Sequence, residues 1–129
     1  MASPQTADRR LRARSNGLLA GFFISAGINH FVMPRAYESI VPPRLQGDAR
    51  LVVQISGVAE IAGGLGVLLP RTRPASGVCL IALLAAIFPA NLYMARAPER
   101  FRRIPRWALY ARLPLQPLMM SWAWRATRR

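Results

Sequence analysis

The sequence contains no lysine, one cysteine, one histidine and only five acidic residues among 129. A single cysteine, Cys79, excludes a disulfide within the chain and any Cys-x-x-Cys chemistry. In an apolar stretch, such a thiol reads as a small packing residue. A single histidine, His30, excludes the paired axial imidazoles of a membrane haem on one chain. With so few thiol and imidazole ligands, no metal site is expected. Neither G-x-G-x-x-G after a strand nor G-x-x-x-x-G-K occurs, and no soluble-type nucleophile triad can be composed. No cofactor motif is evident, and independent catalytic activity is not expected. The missing lysine leaves all 18 basic residues as arginine. A GC-rich coding bias accounts for that better than a demand for bidentate phosphate contacts.

A net charge of +13 invites a nucleic-acid reading. The arginines, however, sit in short clusters between long apolar runs, which is how membrane segments are flanked. No nucleic-acid partner is expected. The chain is 53% hydrophobic and 18% charged, against about 25% charged in ordinary soluble domains. One domain fits its length.

Four apolar runs, 17–33, 51–69, 75–95 and 107–124, contain 17, 19, 21 and 18 residues. About 20 suffice to cross the hydrocarbon core. Unpaired backbone is not tolerated in lipid, so the runs predict helices, and no ten-residue alternation suggests a barrel. The expected fold class is all-α, an integral membrane bundle of four transmembrane helices over 17–124. It is flanked by a basic, disordered tail at 1–16 and a short basic tail at 125–129. Arg112, Pro114 and Pro117 interrupt the fourth run and predict a kink or a surface entry. The first run resembles a signal peptide in its basic start and apolar core, but has no small-residue cleavage site and is expected to be retained. The arginines divide nine to eight between the two sides. Arg9, Arg10, Arg12 and Arg14 before the first helix favour both termini in the cytoplasm, in a cell inner membrane.

Small residues mark expected helix contacts. Gly17, Gly21, Ser25 and Asn29 recur every fourth position on the first helix, and Gly57, Gly63 and Gly64 lie on the second. Close backbone approach at such positions supplies packing in lipid. Ionisable groups inside a span need a reason, because a charged carboxylate near the centre costs about 3 kcal/mol. Glu60, tenth in the second run, is therefore expected to face the interior and to be paired or protonated. At 1.5 Å per residue, His30, Asn91 and Arg112 fall in the same half of the bundle as Glu60, within about 6–7 Å of its surface. With Asn29 they form a candidate polar cluster, in which an Arg112–Glu60 ion pair is sterically accessible. For each the plainer reading is packing: Asn91 as an interhelical hydrogen bond, Arg112 reaching to headgroups, His30 as an interface residue.

The stretches GINHFVMPRAYESIVPPRL, SGVAEIAGGLGVLLPRTR, LIALLAAIFPANLYMARAPERF and RLPLQPLMMSWAW, in this order, resemble the short DoxX-like membrane proteins. They carry G-x-x-H-F-x-x-P, S-G-V-x-E-I-x-G-G-L-G, F-P-A-N-x-Y-M and R-L-P-L-Q-P, and the likeness covers about residues 17–124. It implies a four-helix inner-membrane protein with a loose tie to redox work, as a subunit of quinol- or thiosulfate-linked oxidoreductases or as an assembly factor. The positions carried over are Asn29, His30, Pro34, Glu60, Pro89, Asn91, Tyr93 and Arg112. The lone Cys79 departs from relatives that manage disulfides through cysteine pairs.

The leading expectation is an accessory, redox-associated membrane subunit whose polar cluster binds a quinone-like headgroup. A scaffold that grips partner helices is the first rival. A small transporter or proton path through Glu60 ranks last, because no inverted repeat is visible. The bilayer and membrane or redox-enzyme subunits are the expected partners, and the oligomeric state is left open.

Overall fold

In a computed structural model, described for residues 3–128, the chain is all-helical, with no strand among those residues. Four long helices, α1 (Pro4–Val32), α3 (Ala49–Leu68), α4 (Arg73–Arg96) and α5 (Arg106–Thr127), follow the four apolar runs. A short α2 (Pro34–Glu38) and two 3-10 segments, Pro43–Asp48 and Pro98–Arg100, fill the connections. Proline sets several of these boundaries. Pro34 stops α1 and opens α2, and its missing N–H costs nothing at a first helical position. Between α3 and α4 the Thr72 hydroxyl donates to the Gly66 carbonyl (2.7 Å), and Arg73 Nε donates to the Val67 carbonyl (2.8 Å). These bonds satisfy carbonyls that the end of α3 leaves without intrahelical donors.

The expected disordered tail is corrected here. Residues 4–16 are a direct continuation of α1, capped by the Ser3 side chain, which accepts from the Thr6 N–H. Alanine, leucine and arginine are good helix formers, so ADRRLRAR prolongs the helix while remaining polar. Likewise α5 runs past Trp124 to Thr127. Pro114 and Pro117 lie inside this one continuous helix.

α1 lies against α3 over its C-terminal part, α4 pairs with α5, and α3 joins the two pairs through α4. Buried positions recur every three to four residues: Leu19, Phe23, Gly27 and His30 on α1, and Val53, Gly57, Glu60, Gly63, Gly64 and Val67 on α3. A core of Leu19, Ala20, Phe23, Val67, Leu80 and Ala123 closes the end where the Trp122 indole N–H donates to Ser15 Oγ at 2.9 Å. At the other end Met94, Phe101 and Leu109 pack together. α1 and α5 touch far less than the other neighbours, so the helix pairs diverge between these two ends.

Glycine permits the α1–α3 contact. A Cβ placed on Gly27 would lie 2.6 Å from the Gly57 carbonyl oxygen, and one on Gly64 would lie 2.8 Å from Ile24 Cγ1. On the α4 side, one on Gly63 would meet Leu80. Gly17 and Gly21 differ from expectation: nothing lies within 4 Å of a Cβ on either, so they are not helix-contact residues within the chain.

By length and composition, two segments could cross a membrane, Pro43–Leu68 and Arg73–Arg96. α1 and α5 fall short of that standard. Four arginines and the Asn29–His30 pair lower the apolarity of α1, and Arg112, Gln116 and two prolines do so in α5. Asn29, His30, Arg112 and Gln116 among these residues face the space between the helices.

Candidate functional site

The divergence of the helix pairs leaves a cavity of about 1240 Å³. Its walls are mostly aliphatic, and Asn29, His30, Glu60, Asn91 and Arg112 all line it. Gly17, Gly21 and Ser25 line it too, on the same face of α1 as Asn29. Gly57, Gly63 and Gly64 instead face neighbouring helices.

Glu60 is 5% exposed, and the ionisable group beside it is His30, not Arg112. Its Oε2 lies 3.3 Å from His30 Nδ1, which also approaches the Ala26 carbonyl at 2.7 Å. A carbonyl can only accept, so Nδ1 carries the proton and donates it to Ala26. The contact with Glu60 is then proximity without a hydrogen bond, and Oε2 has no partner. An unpartnered buried polar atom costs about 1–3 kcal/mol. The carboxyl group is therefore the least satisfied group of the site.

Tyr37 was not among the expected residues, because it lies outside the apolar runs, on α2. Its ring stacks on the His30 imidazole at 3.9 Å between centroids and 24° between planes. Its hydroxyl oxygen accepts from Asn29 Nδ2 at 2.8 Å. The turn at Pro34 folds α2 back across the end of α1, and this brings Tyr37 over His30. Stacking and the hydrogen bond thus fix His30 and Asn29 in orientation, while the Tyr37 O–H hydrogen stays available to a further acceptor.

The opposite wall has its own network. Asn91 Nδ2 donates to Gln116 Oε1 at 2.6 Å, and Gln116 Nε2 donates to the Leu84 carbonyl. Pro89, inside α4, removes the N–H that would pair with the Ala85 carbonyl, next to Leu84 in the chain. Gln116 is buried and was overlooked, although it stands in the R-L-P-L-Q-P string. Arg112 donates to Met94 Sδ at 3.1 Å, a weak acceptor for a guanidinium, and Tyr93 accepts from Arg100. The Arg112–Glu60 pair that their depths allowed is not made: equal depth does not fix helix rotation, and Glu60 lies beside His30 while Arg112 donates to Met94.

Replacing Gln116 with leucine should lower the melting midpoint in mild detergent by the equivalent of about 1–3 kcal/mol, because Asn91 and the Leu84 carbonyl both lose their partner. The double variant Asn91→Leu/Gln116→Leu should recover part of that loss, since the side-chain pair is then removed as a unit. Additive losses in the melting curves would show that the pair is not coupled.

No group of three or more histidine, cysteine, aspartate or glutamate side chains is placed to hold a metal among the described residues. Comparison with known families matches residues 19–127 to a family model described as Domain of unknown function (DUF8561). No curated protein and no solved structure matches the chain.

Proposed function

We propose, for a chain that belongs to the DUF8561 family, a function read from its own cavity. It is a four-helix integral membrane protein that holds an amphipathic molecule with a quinone-like head, as an accessory subunit without catalysis of its own. The observation that carries this reading is the unpartnered Glu60 carboxyl oxygen in a large, otherwise aliphatic cavity. Such a site orients a ligand by a few polar contacts and holds it by apolar area. Glu60 would meet a hydroxyl or other donor on the head, the Tyr37 hydroxyl would donate to a carbonyl, and His30 would be held rigid between Tyr37 and Ala26.

The membrane setting is supported by where apolar residues point. Only 33% and 17% of the most apolar stretches of the two candidate spans is buried inside the protein, unlike a core helix of a soluble domain. Ile28, Ile55, Val58, Leu65, Val78, Phe88 and Leu118 project outward from all four long helices. Exposed apolar surface of that extent calls for a non-aqueous neighbour. We carry the inner-membrane location, the cytoplasmic termini and the likeness to DoxX-like proteins as parts of the same proposal.

The test is to purify the protein in mild detergent, extract lipid-soluble material, and titrate a benzoquinone and its hydroquinone. Expected are co-purifying quinone and an affinity for the head at least about tenfold weaker in Glu60→Gln, about 1.4 kcal/mol, with helicity unchanged. Absence of quinone together with indifference to the substitution would remove this function. The open face at Gly17 and Gly21 favours one second reading, a scaffold that seats a partner helix there. Crosslinking in membranes separates them, since the scaffold requires a stoichiometric protein partner.

A further inference from the structure

We infer that the Gly17–Gly21–Ser25 face of α1 is the seat of the ligand's hydrocarbon tail, a track that selects for a long, single, flexible chain. The inference rests on the head-binding reading above and adds a second subsite to it.

Three observations carry it. Gly17 and Gly21 are open, with nothing within 4 Å of a Cβ on either, yet both line the same cavity as Asn29, His30 and Glu60. At four-residue spacing these glycines, Ser25 and Asn29 form one continuous strip that ends at the polar cluster. The far wall of that strip is apolar and comes from α4 and α5, where Ile87, Leu115 and Met119 line the cavity. The buried, unpartnered Glu60 oxygen marks the head end independently of the glycines.

The dimensions suit a tail. From Gly17 to Asn29 the strip runs about 18 Å along the helix, at 1.5 Å per residue. Half of a hydrocarbon core of about 30 Å is about 15 Å, so the track is as long as a chain that occupies one leaflet. The cavity of about 1240 Å³ exceeds the roughly 300–1,000 Å³ of sites for compact drug-sized ligands. A head alone would leave most of that space unfilled. Glycine at positions 17 and 21 keeps the groove deep, and any larger side chain there would occupy the track itself.

The test uses Gly17→Leu/Gly21→Leu in nanodiscs with two probes. The first is a benzoquinone head with and without a ten-carbon tail. The second is a hexadecanol carrying a mid-chain diazirine, with adducts mapped by mass spectrometry. Wild type should bind the tailed quinone at least tenfold more tightly than the tailless one, and the diazirine should label residues 17–25 and 115–119. The variant should melt no lower than wild type, keep the tailless affinity, and lose both the tail preference and those adducts. Equal affinity for the two quinones, adducts confined to outward residues such as Ile55 and Val58, or a protein crosslink that occupies the strip would each overturn the track. Should neither quinone bind while the diazirine labels the strip and the variant abolishes that labelling, the track stands and the quinone head falls. Should the tailless head bind in a Glu60-dependent way without any tail effect, the head site stands and the track falls.

Discussion

Gly27→Ala should lower the melting midpoint in detergent by several degrees, the equivalent of about 2 kcal/mol of overpacking. The added methyl would lie 2.6 Å from the Gly57 carbonyl oxygen, 2.7 Å from Ile61 Cγ1 and 3.0 Å from the Ile61 nitrogen. Two of those three atoms are backbone, so no side-chain rotation relieves the clash and α1 must move away from α3. Because His30 rides one turn beyond Gly27 and Glu60 one turn beyond Gly57, the same movement separates the two groups of the candidate site. Gly21→Ala, six residues earlier on the same helix, provides the control. Its methyl meets nothing within 4 Å, and the gain in helix propensity should leave the midpoint unchanged or raise it by up to about 1 kcal/mol. Paired melting curves check the contrast. Equal midpoints for the two variants would mean that the α1–α3 crossing is not as close as described.

Val58→Arg is the second strong expectation, and it addresses the environment of the bundle. Val58 lies midway along α3 and is 58% exposed, touching no core. On the surface of a protein in water this substitution would fall within about 0.5 kcal/mol of neutral. Facing lipid at mid-helix, an arginine costs about 2.5–3.5 kcal/mol. Insertion should drop sharply, read as the fraction of protein that resists carbonate extraction from membranes. The same substitution at Leu11, on the polar first turns of α1 outside the apolar runs, should be tolerated. Unimpaired expression of Val58→Arg as a water-soluble protein would sink the membrane reading entirely.

Much of the helical layout was legible because it depends on local rules. Apolar runs of near-span length, punctuated by Pro34, Pro70, Pro74 and arginines, fix where helices lie. The interior position of Glu60 was legible for the same reason: its depth in an apolar run leaves it nowhere else to face. Relations between helices were not. The four-residue spacing of Gly17, Gly21 and Ser25 places them on one face, but only the structure determines that this face looks onto a cavity instead of a neighbour. The true close contact belongs to Gly27, which opens the G-x-x-H-F string but lies off the counted strip. Depth arithmetic brought Arg112 level with Glu60 and could not supply the rotation that gives Arg112 to Met94 and His30 to Glu60. Tyr37 and Gln116 were missed for different reasons. One lies on a short helix outside the apolar runs, and the other stands between two prolines, whose effect on the backbone is the stronger local signal.

The length of α1 has a mechanical consequence. With 29 residues it is about 43 Å long, against about 30 Å of hydrocarbon in a typical bilayer. In the proposed setting about two and a half turns at its start therefore stand clear as a stiff stalk that carries Arg9, Arg10, Arg12 and Arg14 at phosphate level and above. Arginines at the opposite rim, on the connections around Arg44 and Arg100, act as a second flange. Clamped between two such collars, the bundle in that setting would answer a thinner bilayer by leaning over instead of sinking, and Glu60 would stay between the two surfaces.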